Sequence, residues 1–491
     1  MSKVRTRFAP SPTGFLHIGG LRTALFSFLF ARHNNGDFLL RIEDTDRSRY
    51  VEGALNDIIE SLKWIGIVWD EGPDVGGPYG PYKQSERKGI YKEHAFDLVR
   101  TGHAYKCFCS PERLAALREE QKKKGIYPGY DRHCRYLSKE EVLRHEKNKD
   151  PFVIRLKIPE DGETVFEDSI RGTIKTANST LDDTVLLKSD EFPTYHLANV
   201  IDDHLMEISH VIRGDEWISS TPRHIILYRS FDWAPPVFAH VPVILAQGGG
   251  KLSKRHGATT VREFRNNGYL PGALLNFISL LGWALDDRTE LFTMDDLIAH
   301  FDLERVNKSP AVFSYEKLDW FNGVYLRRKK TDELYDLILP FMIEGNLFKK
   351  EEIAQYKEYI LQIIPLIQER LTSLKEVVDR TWFFFDQLFT IKEKDTLIPK
   401  KGTPKDAIKI LERTIEVLSP LSSFHEDELE KAFRALVDDL GMKTGAVFMT
   451  VRVAITGTRV SPGLFETMNV MGKDRVIQRL REAKEIVKNM T

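Results

Sequence analysis

Hydrophobic positions in the first part of the chain alternate or recur at helical spacing. Val4, Thr6 and Phe8 alternate with arginines as strand residues do, and the apolar run over 37–42 indicates a second, buried strand. A helical stripe lies between them, formed by Leu21, Ala24, Leu25, Phe28 and Leu29. Strand, helix and strand in this order predict a parallel sheet covered by helices.

The mixed pattern resumes in the middle of the chain. The elements expected there are a helix from Tyr195, a strand over 208–212, a helix over 222–230 and a last sheet strand over 238–246. The lysine- and glutamate-rich stretch 91–194 interrupts the pattern with short predicted strands, over 153–158 and 172–176. Beyond residue 325 only helical stripes recur, among them Leu334, Leu337, Ile338 and Phe341. The predicted fold class is α/β, with an α+β insertion and an all-α C-terminal region.

Composition changes this picture little. The 491 residues suffice for several domains, and 42% apolar with 29% charged residues is typical of a soluble globular protein. The sequence has no apolar run long enough for a membrane helix and no secretory pattern at its N-terminus, so we expect a cytoplasmic protein. A net charge of −1 does not indicate a nucleic-acid partner, and an RNA-binding surface would have to be local.

The loop after the first strand carries the first candidate chemistry. It ends in His17, Gly19 and Gly20 and leads directly into the predicted helix. A helix N-terminus at the edge of a parallel sheet offers free N–H groups to an anion, and glycines let a base or a sugar approach the backbone. The alternative is an ordinary glycine turn with a structural histidine.

Two charged residues follow predicted strands and could face a ligand. Glu43 comes directly after the strand over 37–42, and Arg213 comes directly after the strand over 208–212. Ligands of open α/β sheets bind at the carboxyl ends of strands, where Glu43 could hold an ammonium group and Arg213 a carboxylate. Helix capping near Glu43 and a plain surface role for Arg213 remain the alternatives.

The chain has three cysteines, Cys107, Cys109 and Cys134. An odd number without a secretion signal argues against a disulfide framework. Their closeness and soft sulfur donors suit a structural zinc ion, which needs a fourth ligand. Three free thiols are the alternative.

A second signature lies far from the first. Lys251-Leu252-Ser253-Lys254-Arg255 follows three glycines, and together with the His17-Ile-Gly-Gly20 segment it is similar to the HIGH and KMSKS signatures of class I aminoacyl-tRNA synthetases. RFAPSPTGFLHIGG, LLRIEDTDRSR, FPTYHLANVIDDH, VIRGDEW and KLSKR together resemble the bacterial glutamyl-tRNA synthetases. The resemblance runs through nearly the whole chain. The variations at Gly20, Leu252 and Arg255 leave the phosphate-facing positions His17, Gly19 and Lys254 intact.

This resemblance implies an enzyme that activates L-glutamate with ATP and transfers it to tRNA-Glu. It implies His17 and Lys254 as catalytic residues. The residues expected to bind ATP are His17, Gly19, Gly20, Trp217, Lys251, Ser253 and Lys254. The residues expected to bind glutamate are Arg7, Ser11, Glu43, Tyr195, Asn199 and Arg213. Mg²⁺ is expected to offset the triphosphate charge, and the protein is expected to be monomeric.

The resemblance also gives functions to the segments. We expect a Rossmann-like catalytic domain over 1–90 and 195–247, an inserted acceptor-end-binding domain over 91–194, a signature loop with a tRNA stem-contact domain over 248–325, and helical anticodon-binding subdomains over 326–392 and 393–491. Arg370 falls where relatives have an arginine that contacts the anticodon.

The fourth zinc ligand stays open at this stage. A truncated paralogue uses a tyrosine at the position of Tyr130, which implies Tyr130 here, while Tyr136 stands where some relatives have a histidine. His133 is the third alternative, although it is adjacent to Cys134.

Other functions fit the sequence less well. A glutaminyl-tRNA synthetase typically ends in β-barrels, whereas this chain ends in helical stripes, and the truncated paralogue has no anticodon-binding region. A catalytically silent RNA-binding protein would not need His17, Glu43, Arg213 and Lys254. A nucleotidyltransferase that does not act on RNA would be shorter. Whether tRNA-Gln is also charged is left open by the sequence.

Overall fold

The computed structural model describes residues 3–125 and 128–490, without the side chains of Arg47, Lys254 and Gln387. Its strands are β1 (Arg5–Phe8), β2 (Asp37–Leu40), β3 (Ala104–Cys107), β4 (Val153–Leu156), β5 (Glu163–Asp168), β6 (Gly172–Ala177), β7 (Val185–Leu187), β8 (His210–Gly214), β9 (Val237–Val241), β10 (Ile244–Ala246) and β11 (Ala311–Phe313).

The α-helices alternate with these strands and then continue alone. They are α1 (Ile18–His33), α2 (Ala54–Ile65), α3 (Lys88–Arg100), α4 (Pro111–Lys123), α5 (Lys139–Lys147), α6 (Tyr195–Leu205), α7 (Thr221–Ser230), α8 (Val261–Asn266), α9 (Pro271–Ser279), α10 (Met294–His300), α11 (Tyr315–Arg327), α12 (Thr331–Glu344), α13 (Ile353–Gln368), α14 (Val377–Thr381), α15 (Pro404–Leu418), α16 (Glu426–Leu440), α17 (Thr444–Thr456), α18 (Leu464–Met471) and α19 (Lys473–Lys488).

The described chain forms two compact units. The first contains the residues up to Arg265 together with Pro271–Tyr315, and the second contains Asn266–Leu270 and the residues from Glu316 onward. Within the described ranges, no helix combines the length and the apolar character that crossing a membrane requires.

Parallel strand pairing organises the first unit, as the sequence predicts. β1 pairs with β2 in parallel, and β8 pairs with β9 in parallel. β5 also lies parallel to β9, and the antiparallel β6 completes a four-stranded sheet of order β6-β5-β9-β8. The Ser209 N–H donates to the Arg5 carbonyl at 3.0 Å, which joins the start of β8 to β1. The carboxyl ends of the parallel strands lie where a doubly wound fold binds its ligands.

Two strand predictions need correction. The single strand expected over 238–246 is two strands in different sheets. Pro242, which has no N–H to donate, interrupts the strand between β9 and β10. β10 pairs instead with β11. The strand expected over 208–212 is displaced to His210–Gly214, so Arg213 lies inside β8 rather than after it.

The insertion has its own small sheet. β3, β4 and β7 form an antiparallel sheet, and α4 and α5 have no buried residue, which fits their high charge. The strands expected over 153–158 and 172–176 are confirmed as β4 and β6.

The all-α prediction for the C-terminal region is confirmed, since no described residue after Phe313 belongs to a strand. An apolar stripe of α19 is buried, formed by Val476, Ile477, Leu480, Ala483 and Val487. Arg479 is also buried on α19, and its guanidinium donates to the carbonyls of Phe383 and Ile455 at 2.6 Å each. A buried cation on an apolar helix face thus ties this helix to two neighbouring segments.

Candidate active site

A cavity of about 730 Å³ opens in the first unit at the ends of the parallel strands. It brings together predicted residues from five separate stretches of sequence. The predicted site residues that line it are Arg7, Ser11, His17, Gly19, Gly20, Glu43, Tyr195, Asn199, Arg213, Trp217, Lys251 and Ser253. Both signature segments therefore face one space.

His17 caps the N-terminus of α1 and faces the cavity. Its Nδ1 accepts the Gly20 N–H at 3.1 Å, so the neutral ring carries its proton on Nε2 and can donate it to a ligand. Desolvation by the surrounding protein atoms lowers the pKa of His17, and repulsion from the Lys251 cation lowers it further. Both effects favour the neutral ring. The structural and the ligand-binding interpretations of His17 thus use different ring nitrogens.

Gly19 leaves room for this imidazole. A Cβ on Gly19 would lie 3.1 and 3.2 Å from the Cε1 and Nδ1 atoms of His17. A Cβ on Gly20 would lie 3.2 Å from Leu16. The glycines therefore preserve the ring and its packing, in addition to leaving room for a ligand.

The second signature is joined to the first by backbone contacts. The Ile18 N–H donates to the Thr259 carbonyl at 3.0 Å, and His17 forms a β-bridge with Thr260. Lys251 and Ser253 line the cavity from the loop before this anchor. The side chain of Lys254 lies outside the described part of the chain, so its predicted role stays a prediction.

A buried ion network forms the floor of the cavity around Glu43, one of the residues predicted to bind glutamate. Arg7 binds Asp203 through both Nε and Nη2, at 3.0 and 3.3 Å. Arg41, which is fully buried, lies 2.7 Å from Asp203 and 3.4 Å from Glu43. Burial raises the pKa of Glu43, although Arg41 and Asn199 partly oppose this shift. Glu43 is thus a buried acid whose charge depends on its neighbours.

The remaining predicted groups of this part of the cavity lie on or beside α6. Asn199 donates to Glu43 Oε1 at 3.1 Å, which holds the carboxylate in place. The ring of Tyr195 packs against Trp217 with centroids 4.4 Å apart, and burial raises the pKa of Tyr195 to about 12. The sequence predicts that Trp217 binds ATP, and the structure places it against Tyr195, which is predicted to bind glutamate. Ser11 is exposed at the rim.

Arg213 differs from Arg7 and Arg41 because its hydrogen-bond partners are neutral. It donates to His240 Nε2 at 3.0 Å, to Tyr195 Oη at 2.9 Å and to Thr221 Oγ1 at 2.7 Å. Only 5% of its surface is exposed, and no carboxylate of the described residues forms an ion pair with it. A buried cation without an anion favours binding of a negatively charged ligand group.

Sequence reasoning missed several buried charges around this cavity. Arg22 lies on α1, lines the cavity and donates to the carbonyls of Leu281 and Pro242. Burial lowers the pKa of Arg22 to about 10. Arg41 and Asp203 form the floor described above. A charged residue inside an apolar strand or on an apolar helix face was the available signal for each of them.

The three cysteines of the insertion come together with Tyr130. Their sulfur atoms all lie within 4.8 Å of one another, and Cys109 Sγ is 3.5 Å from Cys134 Sγ. Tyr130 Oη lies 3.2 Å from Cys107 Sγ and 3.6 Å from Cys109 Sγ. Two ligands of a tetrahedral zinc ion are about 3.8 Å apart when Zn–S is about 2.3 Å, so this donor set fits zinc. Hydrogen bonds from Cys134 and Tyr130 lower the pKa of Cys107 to about 4.

The other two candidate zinc ligands, Tyr136 and His133, are exposed to solvent. Tyr136 is 66% exposed, and its hydroxyl is hydrogen-bonded to Glu160. His133 is exposed as well. Tyr130 is therefore the fourth donor that the geometry favours.

Arg370 lies in the second unit, at a hollow of about 370 Å³. Its Nη1 donates to the Ser461 carbonyl at 2.8 Å. Arg380 and Glu376 line the same hollow. The structure thus places Arg370 at a surface depression, and its contact with an anticodon remains a prediction.

Comparisons with known proteins identify the family of the chain. A family model described as the catalytic domain of class I tRNA synthetases (E and Q) matches residues 3–320, and a model of an anticodon binding domain matches residues 333–484. The glutamate–tRNA ligase of Borreliella burgdorferi is 46% identical over 485 residues, covering 99% of each chain. That of Dehalococcoides mccartyi is 48% identical over 482 residues, covering 98% of each chain.

Solved structures give the same result. A crystal structure of a glutamate tRNA ligase from Elizabethkingia meningosepticum in complex with its amino acid has a TM-score of 0.88 and 40% identity, covering 99% of each chain. With both family models and full-length relatives in agreement, the chain belongs to the class I glutamate–tRNA ligases.

Proposed function

We propose that the cavity of the first unit binds L-glutamate and ATP, the latter as its Mg²⁺ complex, and joins them as glutamyl-adenylate. The observation that carries this proposal is the buried Arg213, whose hydrogen-bond partners are neutral and which therefore favours an anionic side chain in the ligand. Glu43 supplies the opposite charge for the ammonium group of the same ligand. Two carboxylates and one ammonium are the charged groups of glutamate.

The activation step needs alignment rather than a protein nucleophile. An oxygen of the substrate α-carboxylate attacks the α-phosphorus of ATP, a C–O–P linkage forms, and pyrophosphate leaves with the electrons of the broken P–O bond. His17 donates from Nε2 to the α-phosphate, where negative charge grows. Lys251, Ser253 and Lys254 are assigned to the departing pyrophosphate, since the loop before Thr259 can close over ATP.

The second step transfers the glutamyl group to tRNA-Glu. A ribose hydroxyl of the 3′-terminal adenosine attacks the activated carbonyl carbon, AMP leaves, and the hydroxyl proton passes to the phosphate. None of the described residues that line the cavity has a side chain in an evident position for a general base, so the adenylate phosphate fits this role. Arg370 and the hollow beside it are assigned to the anticodon, in agreement with the anticodon binding domain that matches this region.

The insertion is proposed to carry a structural zinc ion. Cys107, Cys109, Cys134 and Tyr130 would hold it, since their donor atoms already converge. When bound, zinc would crosslink the end of β3 and the residues just after it to the segment before α5, and it would leave no open coordination position.

Aminoacylation with purified components tests this function. We expect the protein to convert glutamate, ATP and tRNA-Glu to glutamyl-tRNA with release of AMP and pyrophosphate, and to do so with glutamine far less well. No charged product with tRNA-Glu would overturn the proposal. A parallel reaction with tRNA-Gln shows whether the enzyme charges one tRNA or both.

A further inference from the structure

Three neighbouring strands place Asp168, His240 and Arg213 in a row behind the amino-acid end of the cavity. Arg213 of β8 is in register with His240 of β9, and Asp168 at the end of β5 is in register with Phe238, two residues before His240. Arg213 Nε donates to His240 Nε2 at 3.0 Å, and His240 Nδ1 lies 2.6 Å from Asp168 Oδ2. All three side chains are at least 95% buried.

The hydrogen bonds define the tautomer of His240. A carboxylate accepts only, so His240 Nδ1 carries the proton and donates it to Asp168. The Nε2 lone pair is then free to accept from Arg213. Burial lowers the pKa of His240, which keeps the ring neutral. Burial alone would raise the pKa of Asp168, but the His240 hydrogen bond and backbone N–H groups outweigh it and lower that pKa.

Thr221 completes the arrangement on the same edge of the guanidinium. Its hydroxyl donates to the Trp217 carbonyl at 3.1 Å and accepts from Arg213 Nη2 at 2.7 Å. Thr221 Oγ1 lies 3.2 Å from His240 Nε2, so both acceptors contact neighbouring nitrogens of Arg213. The protein thus occupies the Nε–Nη2 edge of Arg213. On the other side, Nη1 donates to Tyr195 Oη at 2.9 Å and lies 3.5 Å from His224 Nδ1, and the guanidinium borders the cavity there.

We propose that Asp168, His240 and Thr221 are positioning residues that set the selectivity for glutamate over glutamine, because they fix Arg213 through neutral acceptors and leave its charge for the substrate side chain. This inference rests on the proposed function. A carboxylate in direct contact with Arg213 would hold it equally firmly, but it would already neutralise the cation. The neutral amide of glutamine would then bind at little disadvantage.

Arg7 provides the contrast inside the same cavity. Asp203 binds Arg7 through both carboxylate oxygens, at 3.0 and 3.3 Å, so a large part of its charge is compensated by the protein. Both arginines are buried and both line the cavity. Since Arg213 instead contacts His240 and Thr221, its charge stays available to distinguish an anionic side chain from a neutral one.

A matched pair of substitutions at His240 separates the two hydrogen bonds. The carbonyl of Gln in His240→Gln can reach the position of Nε2 and accept from Arg213, whereas the shorter amide in His240→Asn reaches Asp168 only. We expect His240→Asn to raise the glutamate KM about tenfold or more, the size of a lost hydrogen bond to a charged group. Selectivity against glutamine should fall with it. His240→Gln should stay within about threefold of the wild type, and neither variant should change the ATP KM.

A second pair guards against a variant that fails to fold. Thr221→Val removes the acceptor and keeps the shape, while Thr221→Ser keeps the acceptor. Thr221→Val should raise the glutamate KM and Thr221→Ser should not. Thr414→Val is the control, because it makes the same change at a buried helical threonine in the second unit, whose hydroxyl donates to the Ile410 carbonyl. It should leave the KM values for glutamate and for ATP unchanged.

The outcomes are distinct. A wild-type protein that does not charge tRNA with glutamate overturns the proposed function itself. An active wild type with His240→Asn and Thr221→Val both unchanged in glutamate KM and in glutamine rejection overturns the positioning role. Equal losses in His240→Asn and His240→Gln, with Thr221→Val unaffected, overturn it as well, because those losses would reflect packing alone.

Discussion

The two ends of the cavity, proposed to bind glutamate (the amino-acid end) and the triphosphate (the phosphate end), differ in how their side chains are held. At the amino-acid end, Arg7, Glu43 and Arg213 are each less than 8% exposed and are fixed by hydrogen bonds from several elements. At the phosphate end, Lys251 is exposed and follows three glycines, Gly248–Gly250, whose φ angles of 90°, 94° and 78° are all left-handed.

This difference matches two different tasks. Choosing between glutamate and glutamine depends on a charge that is held in place before the ligand binds. A side chain that could move would adapt to glutamine and so reduce the free-energy penalty for binding the wrong ligand. Holding a triphosphate and then releasing pyrophosphate requires a segment that opens and closes, and left-handed glycines allow such a loop. Under the proposed function, the amino-acid end therefore serves selectivity and the phosphate end serves turnover. Substitutions at each end should separate these effects.

The largest expected effect is at the phosphate end. Lys254→Ala should lower the rate of glutamate activation by about 10²–10³, the usual effect of removing one donor to developing charge. The glutamate KM should change little, because Lys254 is assigned to pyrophosphate. Pyrophosphate exchange in the presence of tRNA measures this step, with the surface residue Lys188 changed to Ala as a control. A loss smaller than about threefold would exclude the assigned role.

Arg213→Ala should give the next largest effect, and at the other end. Removing the buried cation should lower kcat/KM for glutamate by about 10²-fold, while glutamine is affected far less, so the ratio between the two falls. Arg213→Lys keeps the charge but loses the edge that contacts His240 and Thr221, and we expect an intermediate loss. Steady-state aminoacylation with each amino acid measures both. Unchanged glutamate kinetics would remove Arg213 from the pocket.

Glu43 makes the amino-acid end sensitive to acid. Because burial raises its pKa, Glu43 takes up a proton at a higher pH than an ordinary glutamate as the pH falls. The neutral acid no longer attracts the substrate ammonium, so the glutamate KM should rise toward acid pH while the ATP KM stays level. Glu43→Gln should raise the glutamate KM roughly tenfold and remove this pH dependence. A KM that rises equally in both proteins would assign the titration to the substrate.

Substitutions at the cysteine cluster of the insertion should have the smallest effect on the KM for glutamate and for ATP. Metal analysis should find about one zinc per chain, and Tyr130→Phe should weaken zinc binding, whereas Tyr136→Phe should not, because Tyr136 is exposed and contacts Glu160. Both variants should keep the wild-type KM for glutamate and for ATP. Absence of zinc from a folded, active preparation would make Cys107, Cys109 and Cys134 plain thiols.

The sequence predicted the elements of the cavity better than the contacts within it. The two signature segments, the strand and helix order around them and the helical C-terminal region were all readable, because each depends on local periodicity or on a contiguous motif. The strand expected over 238–246 was wrong because pairing, and not hydrophobicity, separates β9 from β10 at Pro242.

Which side chains contact each other could not be predicted from local sequence patterns. Tyr130 and Tyr136 are equally plausible neighbours of Cys134 in the sequence, and only the fold turns Tyr130 toward the sulfur atoms. Asp168 and His240 are 72 residues apart, and His240 and Arg213 are 27 apart. No periodicity connects such positions.

The sequence by itself determined which kinds of charge this protein brings to a glutamate, a triphosphate and an RNA. Only the tertiary structure decided which of those charges the protein neutralises internally. Arg7 and Arg213 are both strand arginines, yet helix α6 places the carboxylate of Asp203 against Arg7. Strand register places the imidazole of His240 against Arg213, and helix α7 adds the hydroxyl of Thr221. Strand register and helix docking are both settled by the packing of the whole unit, because each element must bury its apolar side chains at the same time.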